Sequence, residues 1–391
     1  MRRTSKLSSP VDYESVTYSI GVGEGLRDDA TRVDSSVTAR GAPELSLRAF
    51  DGSENTRRVV SEFEEKLADV VGIFASDAAD VDRANSIPPS HFDRLASLGL
   101  YGAFAPIEVG GLGLSLAQLC DGVEELASAC LATTFVWIQH FRLLAAVLDP
   151  NAPAIVGDLR HEIVLGRVRG GVALTGLQPG PAKLTAAPTR DGWALDGEAP
   201  WVSGWGLVDF LIVAARGPDD TVVTMALDAQ DQPGMDVTER RLSALNATAT
   251  VTLTFDALFV EGDRVLAQAP HDPSGESPEG LRVNGSLALG VTRRCCNVIG
   301  PSALDNELRD ARAELDGADA ENIAKARARA CELAVRASHA LAVFLGSSSV
   351  LEGGIAERTA REAQLLLTFG SRPAIRHSLL QRFGAGDASS L

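Results

Sequence analysis

The stretch GWALDGEAPWVSG (residues 192–204) decides the reading of this chain, because strands take over there from a helical pattern. It follows Arg190-Asp191-Gly192, a turn signal of the kind that joins two strands of a hairpin. On either side lie GVALTG, DFLIVAAR, TVVTMALD and TATVTLTFDALFV, short β-rich runs separated by Gly, Pro, Asp and Asn turns. So many short strands between about residues 171 and 266 predict a compact β-barrel or sandwich.

The flanks are helical. Upstream, Val59, Phe63, Leu67 and Val71 recur four apart and give one apolar face. Ser90 fits an N-cap after Pro88-Pro89, and two long apolar helices run over about 115–130 and 132–148, the second ended by Pro150 and Pro153. Downstream, the helical period returns at Leu281 and continues to Phe369. The predicted architecture is therefore an α+β multidomain chain: an extension over 1–54, an N-terminal helical domain over 55–150, a central β-domain over 151–268 and a C-terminal helical domain over 279–391. The extension is rich in Ser, Arg, Asp and Gly, a composition that favours disorder.

Composition narrows the function. The 391 residues are 45% hydrophobic and 23% charged, enough apolar material for a large core. A net charge of −16 argues against nucleic acid, whose phosphates reward clustered Lys and Arg. The five cysteines form no CxxC pair and no metal-ligand spacing, so buried free thiols in a reducing cytoplasm are expected, with no metal site. Cys295 and Cys296 would point about 100° apart on a helix, which makes them poor joint ligands. No apolar leader and no uncharged run of transmembrane length is read in the sequence, so no membrane span is expected.

Three strings in this order resemble the acyl-CoA dehydrogenase superfamily: LASLGLYGAFAPIEVGGLGLSLAQLCDGVEELA (95–127), GWALDGEAPWVSG (192–204) and RLSALNATATVTLTFDALFVEGDRVL (241–266). The resemblance covers about residues 56–384. It implies FAD held between the β-domain and the C-terminal helices, with Trp201, Val202 and Ser203 beside the isoalloxazine ring and Ser203 facing its N5 edge. Leu174 and Thr175 would offer backbone groups to the pyrimidine end. The implied activity is oxidation of the CH–CH bond of an acyl-CoA or related small molecule in lipid metabolism, with an electron-accepting flavoprotein or oxygen as oxidant. The implied assembly is a homo-oligomer, or a hetero-oligomer with a homologue.

The same resemblance exposes departures. The family's catalytic glutamate belongs to a Y-E-G-T motif, whereas Phe369-Gly370-Ser371 stands there in this chain, and phenylalanine cannot accept a proton. Glu279 lies near the position where some branches carry the base instead, and it equally fits a first-turn acid facing a helix dipole. TGLQPGPAK (175–183) replaces a T-E-P-x-x-G-S-D loop, and two segments that contact the adenosine half of FAD are altered. Two further readings follow: a flavin monooxygenase, which needs no α-proton base, and a non-catalytic partner of an active homologue. His140 on an apolar helix reads as a packing residue with one hydrogen bond, or as pocket lining. Arg358 and Arg361 read as structural ion pairs with Glu357 and Glu362, or as supports of the active-site loop.

Overall fold

The computed structural model describes residues 54–272, 277–370 and 372–385, with side chains from residue 64 onward, all within one compact unit. The extension expected over 1–54 and Ser371 lie outside the described residues, except for Glu54 at the start of the first helix.

Helices come first: α1 (Glu54–Arg83), α2 (Pro89–Ser97), α3 (Leu116–Ala129), α4 (Leu131–Leu148), and the short α5 (Ala154–Gly157) and α6 (Arg160–Val164). Ser115 caps α3 in a reciprocal box with Gln118. Helix α4 is apolar on nearly every side, and most of its residues are buried. The Trp137 indole in its middle donates to Leu100 O at 3.2 Å.

Eight strands follow: β1 (Gly170–Ala173), β2 (Leu184–Pro188), β3 (Gly192–Val202), β4 (Phe210–Arg216), β5 (Thr221–Asp228), β6 (Met235–Glu239), β7 (Val251–Glu261) and β8 (Val265–Pro270). They form one mixed sheet in the order β6-β7-β3-β2-β4-β5-β8, with β1 laid parallel on β4. Most neighbours are antiparallel, and β3 breaks register against β7 at two irregularities, between Leu195 and Gly197 and between Ala199 and Val202. Such a break bends a strand and re-aims its side chains. The second one turns out the functional end of β3.

Five helices complete the chain: α7 (Pro278–Ile299), α8 (Ala303–Gly317), α9 (Ile323–Leu345), α10 (Ile355–Thr368) and α11 (Pro373–Arg382). Helix α7 packs most closely against α3 and α9. Gly290 permits this approach, since a Cβ there would sit 2.6 Å from Glu124 O. All five cysteines are free and buried, as their spacing implied. Burial raises the Cys120 thiol to about 11 and the Cys295 thiol to about 12, which makes them inert as nucleophiles. Among the described residues, no cluster of His, Cys, Asp and Glu is arranged to hold a metal. The expectation of no membrane span meets two helical stretches that are long and apolar enough by composition, Leu131–Leu148 and Ile323–Val350; the first is two-thirds buried in the protein (67%).

Candidate functional site

The end of β3 and the end of β1 present the residues that the sequence pointed to. At the second irregularity of β3, Trp201 has φ of 66° and is 66% exposed. A bulky side chain in left-handed backbone is strained, and such strain concentrates where a side chain must be presented for use. The Arg240 guanidinium lies 5.9 Å from the indole centroid. Val202 turns the other way into the core.

Ser203 begins a chain of buried hydroxyls. Its Oγ lies 2.8 Å from Thr250 Oγ1, which lies 2.8 Å from Thr248 Oγ1, which donates to Leu245 O at 2.8 Å. Backbone bonds lock the two segments together: Gly204 N donates to Thr248 O at 2.7 Å and Trp205 N to Ala249 O at 3.3 Å. The segment itself turns through left-handed residues at Leu245 and Ala249. Thr248 and Thr250 were not singled out from the sequence; the tight turn Asn246–Thr248 and the left-handed Ala249 bring them together, and no strand period marks them.

Strand β1 runs beside this end of β3, since a Cβ on Gly171 would lie 3.5 Å from Ser203 O. Leu174 and Thr175 follow three and four residues later, roughly 10–13 Å at about 3.3 Å per residue. There the chain makes a tight turn, Thr175–Leu177. Gly176 is required in it, because a Cβ would stand 2.5 Å from Ala214 O on β4. Thr175 is buried at the start of this turn. Two arginines hold the turn: Arg216 donates to Gly176 O and Gln178 O, and Arg372 donates to Leu177 O at 2.8 Å. Arg372 reaches across from the start of α11, so that helix end is tied directly to this turn.

Phe369 caps α10 and packs edge-on against Phe135 of α4, with ring centroids 4.5 Å apart. Arg327, buried in α9, donates to Phe369 O and places its guanidinium 5.8 Å from the ring. Its Nε and Nη1 have no hydrogen-bond partner among the described residues. Glu279 is exposed in the first turn of α7, where the Ser277 hydroxyl accepts from Gly280 N at 3.1 Å.

Other residues marked in the sequence are structural. His140 accepts from Gly170 N through Nδ1 at 3.1 Å, and burial lowers its pKa to about 3. Arg361 pairs with Glu357 and also with Asp82 of α1 at 2.6 Å. Glu362 is held chiefly by Arg294 of α7, with Arg358 at 3.9 Å. The helical spacing gave the local partners. Asp82 and Arg294 are distant in sequence and carry no local signal.

The acyl-CoA dehydrogenase N-terminal domain model matches residues 54–151. The structure superposes on butyryl-CoA dehydrogenase from Megasphaera elsdenii with a TM-score of 0.70 at 17% identity, covering 86% of this chain and 99% of that one. This chain matches the acyl-CoA dehydrogenase superfamily in its N-terminal region, and its fold is that superfamily's. Benzylmalonyl-CoA dehydrogenase of Aromatoleum aromaticum is 29% identical over 56% of this chain and 61% of its own length. The oxygenase component of FADH2-dependent resorcinol hydroxylase from Rhizobium sp. is 28% identical over 58% and 55%. The alignments thus span less than two thirds of these curated relatives. This superfamily includes both dehydrogenases and flavin monooxygenases.

Proposed function

We propose that the protein is a flavin-dependent oxidoreductase that binds FAD against Trp201, Val202 and Ser203, with Leu174 and Thr175 at the pyrimidine end, and that it belongs to the oxygen-using side of the superfamily. The residues suit a flavin ring. An exposed indole offers a flat apolar wall, and the ordered Ser203 hydroxyl lies two residues along the chain from it. Bound flavin would supply the two-electron chemistry that no side chain here can. The protein's own part is to orient and enclose. Arg216 and Arg372 fix the turn at Thr175, while Phe369 and Phe135 keep the neighbouring space apolar.

The observation that carries the choice of reaction is Phe369. α-Proton abstraction from a thioester needs a carboxylate within hydrogen-bond reach. At the position where the resemblance places that base, an aromatic ring is packed on a second one. Oxygen-dependent chemistry requires no such base, and a relative with FADH2-dependent hydroxylase in its name is consistent with it. Dehydrogenation is the second reading, with Glu279 as base.

The test is the visible spectrum of the protein purified alone and after reconstitution with FAD, followed by anaerobic addition of acyl-CoA thioesters of several chain lengths. Stoichiometric FAD that no thioester bleaches is the expected result. Bleaching would overturn the oxygen-using reading. A protein that takes up no flavin would overturn the enzyme reading and leave that of a partner subunit to an active homologue.

A further inference from the structure

Arg327, in the second turn of α9, is 1% exposed, and no carboxylate among the described residues pairs with it. Three other arginines of the C-terminal helices are matched. Arg282 lies 2.6 Å from Asp316, Arg294 pairs with Glu362, and Arg358 lies 3.9 Å from Glu362. A guanidinium keeps its charge in proteins, and a charge taken out of water without a partner is strongly unfavourable. Cys331, one turn along α9, is no counter-ion: burial raises its pKa, so the thiol stays protonated.

Capping a helix does not use this side chain up. Nη2 donates to Phe369 O at the C-terminus of α10, a bond that takes one of the five guanidinium hydrogens. Nε and Nη1 have no partner among the described residues. Nη2 carries two hydrogens, so whichever one Phe369 O takes, one edge of the guanidinium keeps two parallel N–H groups. Two parallel donors fit the two oxygens of a carboxylate. The Phe369 ring, 5.8 Å from the guanidinium carbon, is the weaker substitute now in place. That ring is only half-buried, so a change of its rotamer is a short route from solvent to the enclosed cation.

We infer that Arg327 is a binding residue for an aromatic carboxylate, seated at the pair Phe369 and Phe135. One carboxylate charge matches one cation. A phosphate would bring more oxygens than a single guanidinium edge can meet, and a chloride cannot use two parallel donors. Phe135 and Phe369, edge-on with centroids 4.5 Å apart, offer aromatic contact to a flat apolar body behind the carboxylate. The inference goes beyond the flavin reading and stands whether or not flavin binds.

The experiment follows the melting temperature and dissociation constant of the full chain, as purified, titrated with sodium benzoate, and with chloride and phosphate at equal ionic strength. Benzoate should raise the melting temperature of wild type saturably, as a ligand of the folded state does. Arg327→Met removes an unmatched buried charge, so without ligand it should melt higher than wild type. It should also bind benzoate about 10- to 100-fold more weakly, the scale of hydrogen bonds to a charged group. Arg327→Lys keeps the charge and loses the parallel donors, so it too should weaken benzoate, and it decides if Arg327→Met does not fold. No saturable effect of benzoate on wild type, or equal binding by wild type and variants, overturns the inference. So does a lower melting temperature for Arg327→Met, which means that the fold already satisfies the guanidinium. Chloride or phosphate stabilising through Arg327 as strongly as benzoate overturns the assignment to a carboxylate. Flavin uptake is read separately by absorbance, so none of these outcomes touches the flavin reading.

Discussion

Two seams hold this molecule together, and they are built from opposite materials. Where the N-terminal helices meet the C-terminal ones, the polar contacts crossing the apolar packing are charged. Arg294 reaches Glu362 and the Ala127 and Ser128 carbonyls, Arg312 pairs with Glu124 at 2.6 Å, and Arg361 with Asp82 at 2.6 Å. Where the N-terminal helices meet the β-domain, the interior contacts are neutral. Gly170 N donates to His140, Ile87 N to Ala247 O at 3.1 Å, and Asn246 to Asn85, with the Arg169–Asp93 pair at the rim. The difference follows from what each seam adjoins. Ions buried in matched pairs fix helices in register. Hydrogen bonds between neutral groups join helix to sheet without the cost of burying a charge.

The largest effect should come from breaking the buried pair between α7 and α10 that orients Arg294 towards the carbonyls of α3. Glu362→Ala leaves the Arg294 guanidinium buried without its carboxylate, and a loss of about 3–5 kcal/mol is expected. Urea unfolding measures it. The double variant Arg294→Met with Glu362→Leu should recover most of the loss, because no unpaired charge then remains. If the single variant loses less than about 1 kcal/mol, the ionic seam is not what orders these helices.

Acid should break the neutral seam next. The folded protein holds His140 neutral down to about pH 3, because burial opposes its charge, whereas an unfolded chain would protonate it near its ordinary value. The unfolded state therefore binds the extra proton as pH falls below about 6.5, and stability declines by up to about 1.4 kcal/mol per pH unit between there and pH 3. This contribution is complete above pH 6.5. Burial also lowers the His91 pKa, which adds a slope of the same sign. Comparing urea midpoints at pH 7 and pH 5 for wild type and His140→Gln isolates the His140 share, about 2 kcal/mol. Equal pH dependence in the two proteins would show that His140 becomes charged inside the fold.

Sequence reading reached these seams unequally. Periodicity located the helical and strand regions because burial imposes its period on every turn and every second residue, as in α10 and β2. The fit of His140 to a packing role with one hydrogen bond was legible from its apolar helix. The partners that make the ionic seam were not. Arg294 and Glu362 lie 68 residues apart, and only the packing of α7 against α10 brings them together. The parallel placement of β1 on β4 was likewise invisible, since a four-residue strand carries no record of its neighbour. At the site, a string of motifs pointed to Trp201 and Ser203, but the buried hydroxyls of Thr250 and Thr248 behind Ser203 are brought there by a turn and need coordinates.

Glu279 gives the smallest effect and the sharpest choice between roles. In the first turn of α7 its carboxylate faces the positive end of the helix, so Glu279→Gln should cost about 0.3–1 kcal/mol and leave FAD affinity unchanged. Its exposure fits that role, because a base working on a thioester must be enclosed with it. The two roles separate in one pair of measurements. A small stability loss with no change in the response of bound flavin to acyl-CoA makes Glu279 a helix-end acid. Wild-type bleaching that disappears in Glu279→Gln, with stability unchanged, would make it the base, and would move the chemistry from the aromatic pair at Phe369 to the start of α7.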